Sequence, residues 1–238
     1  MRTLARISTS LLFSSALLGQ PAGFFGLSAT STGGTAPAFV NAVCWGPGQN
    51  GGTSSAVNMS GANFFAVAIF WGNGVTLTVS DSQGDSPTGL TAAYAGGPQG
   101  NIYYFQNVVG VSGETFSASA GNGYPGACVL GFSNMAISGV YESGTQVSAS
   151  SNSPGSATPT YGNSNVFVAL TEYGGTWTGL TINSGFLGVN YISYAGGTTY
   201  GCGAAYLIQS GTTSQNPTWT YTPSVTGSSM QAVFQGAH

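Results

Sequence analysis

One strand-and-turn pattern occurs twice in this chain, and that recurrence limits the possible folds more than any other feature. The first copy reads Asn63-Phe-Phe-Ala-Val-Ala-Ile-Phe-Trp71-Gly72, then Val75-Thr-Leu-Thr-Val79, Tyr94-Ala-Gly-Gly97 and Ile102-Tyr-Tyr-Phe-Gln106. The second reads Asn165-Val-Phe-Val-Ala-Leu-Thr-Glu-Tyr173-Gly174, then Gly179-Leu-Thr-Ile182, Tyr194-Ala-Gly-Gly197 and Ala205-Tyr-Leu-Ile-Gln209. The offsets are 165 − 63 = 102, 194 − 94 = 100 and 209 − 106 = 103. Blocks that recur in order at a near-constant offset point to an internal duplication. Its halves span 37–135 and 136–238.

The blocks have strand character. Phe64–Trp71 is almost wholly apolar, as expected of a central strand buried on both faces, and Val166–Tyr173 repeats it. Asn73-Gly74 is a strong hairpin signal and predicts that Phe64–Trp71 turns back into Val75–Val79. Other strands are expected at Ala38–Trp45, Leu90–Tyr94, Asn101–Asn107, Thr115–Ala118 and Ala127–Phe132. In the second half they fall at Gly139–Glu142, Gln146–Ala149, Trp177–Ile182, Val189–Tyr194, Ala204–Gln209, Thr218–Tyr221 and Met230–Phe234. No stretch after position 36 shows a helical period. Turn signals recur at about the 8–12 residue spacing of sandwiches. The expected class is all-β, an antiparallel β-sandwich of jelly-roll or immunoglobulin-like type built from two repeated halves. Either the halves share one core, or they form two tandem sandwiches. The join, Asn134–Tyr141, has no linker character, and Met135, Ile137, Val140 and Tyr141 read as buried, which favours a shared core.

Charge is nearly absent. Charged residues make up 3% of the 238 residues, and the chain has 2 Lys or Arg against 5 Asp or Glu. Both cations, Arg2 and Arg6, lie at the start. Nucleic-acid binding needs cations against phosphate and is therefore not expected. Soluble sheets usually guard their edges with Lys or other charges, and these strands carry almost none. Self-association is the expected partner interaction, with Phe39 and Val40, or Val166, Phe167 and Val168, as edge-strand residues that add to a neighbour's sheet.

Residues 1–36 read as a signal peptide or an N-terminal arm. Met1–Arg6 is positive, Leu11–Leu18 is a short apolar run, and small residues follow. The run is too short to span a membrane.

Few residues could carry chemistry. His238, the only His, is the last residue, so no Ser-His-Asp arrangement has a credible base. Cys44, Cys128 and Cys202 lack zinc-ligand spacing, and no metal or other cofactor is expected. In an oxidising compartment two of the three thiols can pair, and Cys44 with Cys128 is the favoured pair, on the first and last strands of the first half. Asp81 and Asp85 share a Gly-containing turn. They read either as part of a calcium site or as an Asx-turn that caps local N–H groups. Glu142 and Glu172 are the only acids that could form a glycosidase pair, with two unrelated acids as the alternative. Tyr141, Tyr173 and Trp177 are candidates for stacking on a surface glycan.

The apolar strand ending in Trp71, Val79-Ser-Asp81-Ser-Gln-Gly84, Ile102-Tyr-Tyr-Phe-Gln-Asn-Val108 and the strand Met230–Phe234 resemble a family of Gly/Ser/Thr-rich β-sandwich domains. These domains occur in bacterial secreted and cell-surface proteins and in phage virion proteins. The resemblance implies a surface-exposed module without catalytic activity, although Asp85 stands where the family more often has Asn. The expected role is a structural or adhesive subunit of an extracellular or virion-surface filament, coat or decoration layer. A carbohydrate-binding module is the alternative, and a β-sandwich glycoside hydrolase is third.

Overall fold

The computed structural model describes residues 34–238 except 47–48, 73–74, 91–92, 95–98, 148–150, 174–177 and 196–198. Within strands, only the backbone pairing is described for 93–94, 146–147, 190–195 and 199–200. The strands of the first half are β1 (Ala38–Trp45), β2 (Gly51–Thr53), β3 (Val57–Asn58), β4 (Phe64–Trp71), β5 (Thr78–Asp81), β6 (Thr88–Gly89), β7 (Ala93–Tyr94), β8 (Gln99–Gln106), β9 (Ser112–Glu114), β10 (Phe116–Ser119) and β11 (Gly126–Ser133). Those of the second half are β12 (Tyr141–Val147), β13 (Ser164–Tyr173), β14 (Gly179–Ile182), β15 (Leu187–Ala195), β16 (Thr199–Ser210), β17 (Trp219–Thr222) and β18 (Ser228–Gln235). The fold is all-β, every ladder is antiparallel, and no helix occurs among the described residues.

Two large sheets dominate. One has the order β1-β11-β4-β8-β6, with β7 also on β8; the other has the order β12-β18-β13-β16-β15. Three small sheets accompany them: β2-β10-β5, β14-β17 and β3-β9.

Burial follows the two-residue period of a strand. In β4 every residue is buried. Phe64, Ala66, Ala68 and Phe70 face one way and join Val166, Val168 and Leu170 of β13 in one apolar core. The alternate residues Phe65, Val67, Ile69 and Trp71 pack against Val79, Phe116 and Ala118 of the small sheet β2-β10-β5. In β13, Phe167 and Ala169 face away from the shared core and meet Trp219 and Tyr221 of β17. The inner residues of the two large sheets therefore share one apolar core, and the outer residues of β4 and β13 pack against residues of the smaller sheets. The join enters the shared core through Met135, Ala136 and Val140, whereas Ile137, expected to be buried, is exposed. Asn63 fixes this join. Its Nδ2 donates to Met135 O at 2.8 Å, and Met135 N donates to its Oδ1 at 3.1 Å.

The ladders among β1, β11, β4 and β8 correspond residue for residue with those among β12, β18, β13 and β16, whereas β15 is displaced by three residues relative to β6. Phe64 lies opposite Phe132, and Val166 opposite Phe234; 166 − 64 and 234 − 132 both equal 102. Phe64 also lies opposite Gln106, and Val166 opposite Ile208. The irregularity after Phe39 in β1 has a counterpart after Tyr141 in β12. Aromatic rings cross between the sheets in the same reciprocal way. Phe39 stacks on Tyr206 with centroids 4.7 Å apart, and Tyr141 stacks on Tyr104 at 6.4 Å.

Two expectations are corrected here. Phe64–Trp71 does not pair with Val75–Val79: β4 lies between β11 and β8, and β5 pairs with β10. The chain leaves the large sheet at this corner, where Trp71 Nε1 donates to Val75 O at 3.2 Å. Asn73 and Gly74 themselves lie outside the described residues. Val166, Phe167 and Val168 are not edge residues either. Strand β13 is flanked by β18 and β16, so both of its backbone edges are already paired.

Phe64 touches Phe132, Phe234 and Tyr104 and ties both sheets together. Replacing it with Ala leaves a cavity in the shared core. We expect Phe64→Ala to lower stability by about 3–5 kcal/mol in urea unfolding. A loss under ~1 kcal/mol contradicts a tightly packed seam.

Candidate functional site

The least ordinary chemistry among the described residues lies on the inner face of the second large sheet. Ser228, Glu172 and Cys202 sit side by side on β18, β13 and β16, because Glu172 is directly opposite Ser228 on one side and Cys202 on the other. Glu172 is only 2% exposed. Its Oε1 accepts a short hydrogen bond from Ser228 Oγ, and its Oε2 is buried with no partner. On the outer face beside it, Thr171 Oγ1 donates to Ser228 O at 3.0 Å and therefore accepts from Tyr221 OH at 2.6 Å.

No Lys or Arg occurs after residue 6 to pair with the Glu172 carboxylate. Burial accordingly pushes its pKa up to about 8, against a smaller lowering by the Ser228 hydrogen bond. Burial, and then the nearby Glu172 charge, push the Cys202 thiol far above its ordinary value. At neutral pH the row is a protonated carboxyl beside a protonated thiol, closed to solvent. It can hold a proton, but it cannot present a nucleophile to a substrate.

The acids expected to form a glycosidase pair do not meet. Glu142 lies beside the Tyr141–Phe234 pairing, and Glu172 is opposite Ser228. Six residues of β18 separate those levels, about 20 Å at roughly 3.3 Å per residue. Glycosidase carboxyls stand about 5–9.5 Å apart. Glu142 Oε2 instead accepts from Thr160 N at 2.5 Å and Tyr161 N at 3.3 Å.

Asp81 Oδ1 accepts three backbone N–H groups, from Gln83 at 3.2 Å, Gly84 at 2.8 Å and Asp85 at 2.9 Å. This is an Asx-turn in which Oδ1 caps its own loop. Burial, and then the Asp81 charge, raise the pKa of Asp85. Glu114 lies close by. Its Oε2 accepts from Val111 N and its Oε1 from Ser82 Oγ, and its pKa is raised chiefly by burial. Among the described residues, no group of three or more His, Cys, Asp or Glu side chains is placed to hold a metal ion.

Cys44 and Cys128 lie opposite each other in the β1–β11 ladder and form a disulfide. Cys202 is free. His238 Nδ1 lies 3.2 Å from Gln235 Nε2.

The stacking candidates do not make one platform. Tyr141 sits near the level of Val166, and Tyr173 ends β13 seven residues further on, leaning on Tyr221. Trp177 lies outside the described residues. Tyr141 is 39% exposed and borders a cleft of about 400 Å³ with Leu90, Gly144 and Thr145. Across the molecule a second cleft, about 310 Å³, runs between Phe39 and Asn41 of β1 and Leu187 and Gly188 of β15. Phe39 and Val40 do lie on an edge strand.

Sequence reasoning missed the inward position of Glu172, although two signals were present. Strand alternation groups 172 with 166, 168 and 170, and 172 − 102 is buried Phe70.

Among the described residues no helix is long and apolar enough to cross a membrane, which says nothing of membrane-spanning strands. The chain matches no protein-family model, no curated protein and no solved structure.

Two outcomes are expected at these sites. Asp81→Ala frees three N–H groups of the turn and should lower stability by about 1–3 kcal/mol, with calcium leaving the melting temperature of the parent unchanged. Reducing the disulfide, whose cysteines are 84 residues apart, should cost about 2–5 kcal/mol by urea unfolding. A calcium-dependent rise in melting temperature, or no change on reduction, contradicts these assignments.

Proposed function

We propose that the chain is a non-catalytic structural or adhesive subunit of an extracellular or virion-surface assembly, built as a β-sandwich from two duplicated halves. The shared 102-residue register supports duplication, and the reciprocal Phe39–Tyr206 and Tyr141–Tyr104 stacks suit halves related by a pseudo-twofold axis. The observation that carries the functional reading is the character of the outer strands. Strands β1, β6, β12 and β15 end the large sheets, and none contains Lys or Arg. Glu142 is their one charged residue, and its carboxylate is engaged by the 160–161 backbone. Leu187 on β15 is 57% exposed. Unguarded edges of this kind favour pairing with another copy.

A second reading, a carbohydrate-binding module, is favoured by the exposed Tyr141 ring over its cleft. The wide separation of Glu142 from Glu172 argues against the glycosidase reading. Export by the N-terminal segment remains part of the proposal.

Light scattering and electron microscopy of the purified protein test the assembly reading. Gly188 lies on edge strand β15, and a Cβ there meets no atom within 4 Å, so a lysine fits without strain. Association should rise with concentration in the parent and shift to monomer in Gly188→Lys. A parent that stays monomeric at high concentration with no ordered assembly refutes it. Glycan-array binding abolished by Tyr141→Ala would favour the second reading instead.

A further inference from the structure

The inner face at Glu172 holds a feature that neither packing nor assembly requires. In the facing sheet, Gly100 of β8 lies directly against it: a Cβ at Gly100 would stand 3.4 Å from Glu172 Cδ and 3.5 Å from Oε2. The carboxyl thus lies in the seam between the large sheets, with its unpartnered oxygen toward the other sheet. In the corresponding register of the first half, Phe70 fills the inward position and packs over Gly126. A hydrocarbon serves there, so an acid in the seam is not needed to fill space.

We propose that Glu172 is a proton-held latch: its neutral carboxyl lets the two large sheets close over it, and its ionisation opens the seam at that end.

Among the described residues, the groups around it offer no compensation for a negative charge. Ser228 gives one hydrogen bond from β18. Cys202 of β16 and Tyr221 of β17 both have pKa values raised by burial and by the Glu172 charge, and Tyr173 adds a phenol from β13 itself. Gly100 and Phe70 on the facing sheet carry no titratable group. An ionised Glu172 in the closed seam is therefore an unpaired buried charge.

In the closed seam Glu172 holds its proton to about pH 8, and in an opened seam it releases it near the ordinary value of 4.5. The closed state is favoured fully below about pH 4.5. Its advantage falls as pH rises and is lost as pH passes about 8. Between those limits opening releases one proton, so the opening equilibrium rises about tenfold per pH unit.

Cys202 reports this opening. It is fully buried on the same face beside Glu172, and the other two cysteines are joined. We would measure its labelling by excess thiosulfonate from about pH 5.5 to 7.5, where opening and closing outrun labelling. Thiolate formation alone gives about tenfold per pH unit. The latch predicts about a hundredfold per pH unit in the parent and about tenfold in Glu172→Gln, which keeps an acceptor for Ser228. Labelling should stay flat in low urea, because the opening is local. A tenfold slope in both proteins, or a steep urea dependence showing that only global unfolding exposes Cys202, overturns the proposal. If Glu172→Gln does not fold, the parent's slope against a free cysteine peptide decides together with its urea dependence: a hundredfold slope that stays flat in low urea supports the latch, and a tenfold slope or a steep urea dependence removes it.

Discussion

Apolar burial on both faces of two central strands is the constraint on which the rest of the structure depends. Strands β4 and β13 are covered above and below, so each must lie between two layers. Their inner residues meet one another, and their outer residues meet the small sheets. The described residues contain no Lys or Arg to form ion pairs in this arrangement. Backbone ladders, aromatic contacts and side-chain amides take that place, as at Asn63 and at Gln231, whose Nε2 donates to Gly155 O and Gln215 O.

The same scarcity of charge gives the few acids their character. Asp81 is absorbed by its own turn, and Glu142 by the backbone at 160–161. Glu172 alone is directed into the seam, where a carboxyl must stay neutral to be tolerated. A fold with ordinary charge content would supply a partner cation. Here the absence of one turns a buried acid into a proton-sensitive element.

Much of the architecture was legible because it is written in short-range patterns. The unbroken apolar run Phe64–Trp71 announces a strand covered on both sides, and it is one. The recurring offset anticipates corresponding registers because strand pairing preserves residue counts between ladders. What failed depends on long-range choice. Asn73-Gly74 specifies a tight turn but not whether the next strand stays in the same sheet, and β5 joins another. An apolar segment such as Val166–Val168 reads the same at an edge as at a centre, and the neighbours β16 and β18 come from far along the chain. The Glu172 row was illegible for the same reason: Ser228 and Cys202 are 56 and 30 residues away in sequence, and only the ladders bring them together.

The apolar seam between the large sheets should make the described part of residues 34–238 one cooperative unit. Native-state hydrogen exchange of the β4 and β13 amides tests it most directly. Away from the Glu172 end, the central amides of both strands should exchange through the same global opening, with equal protection and equal denaturant dependence. If these β13 amides exchange freely while those of β4 stay protected, or the reverse, the halves are independent and the seam does not unite them.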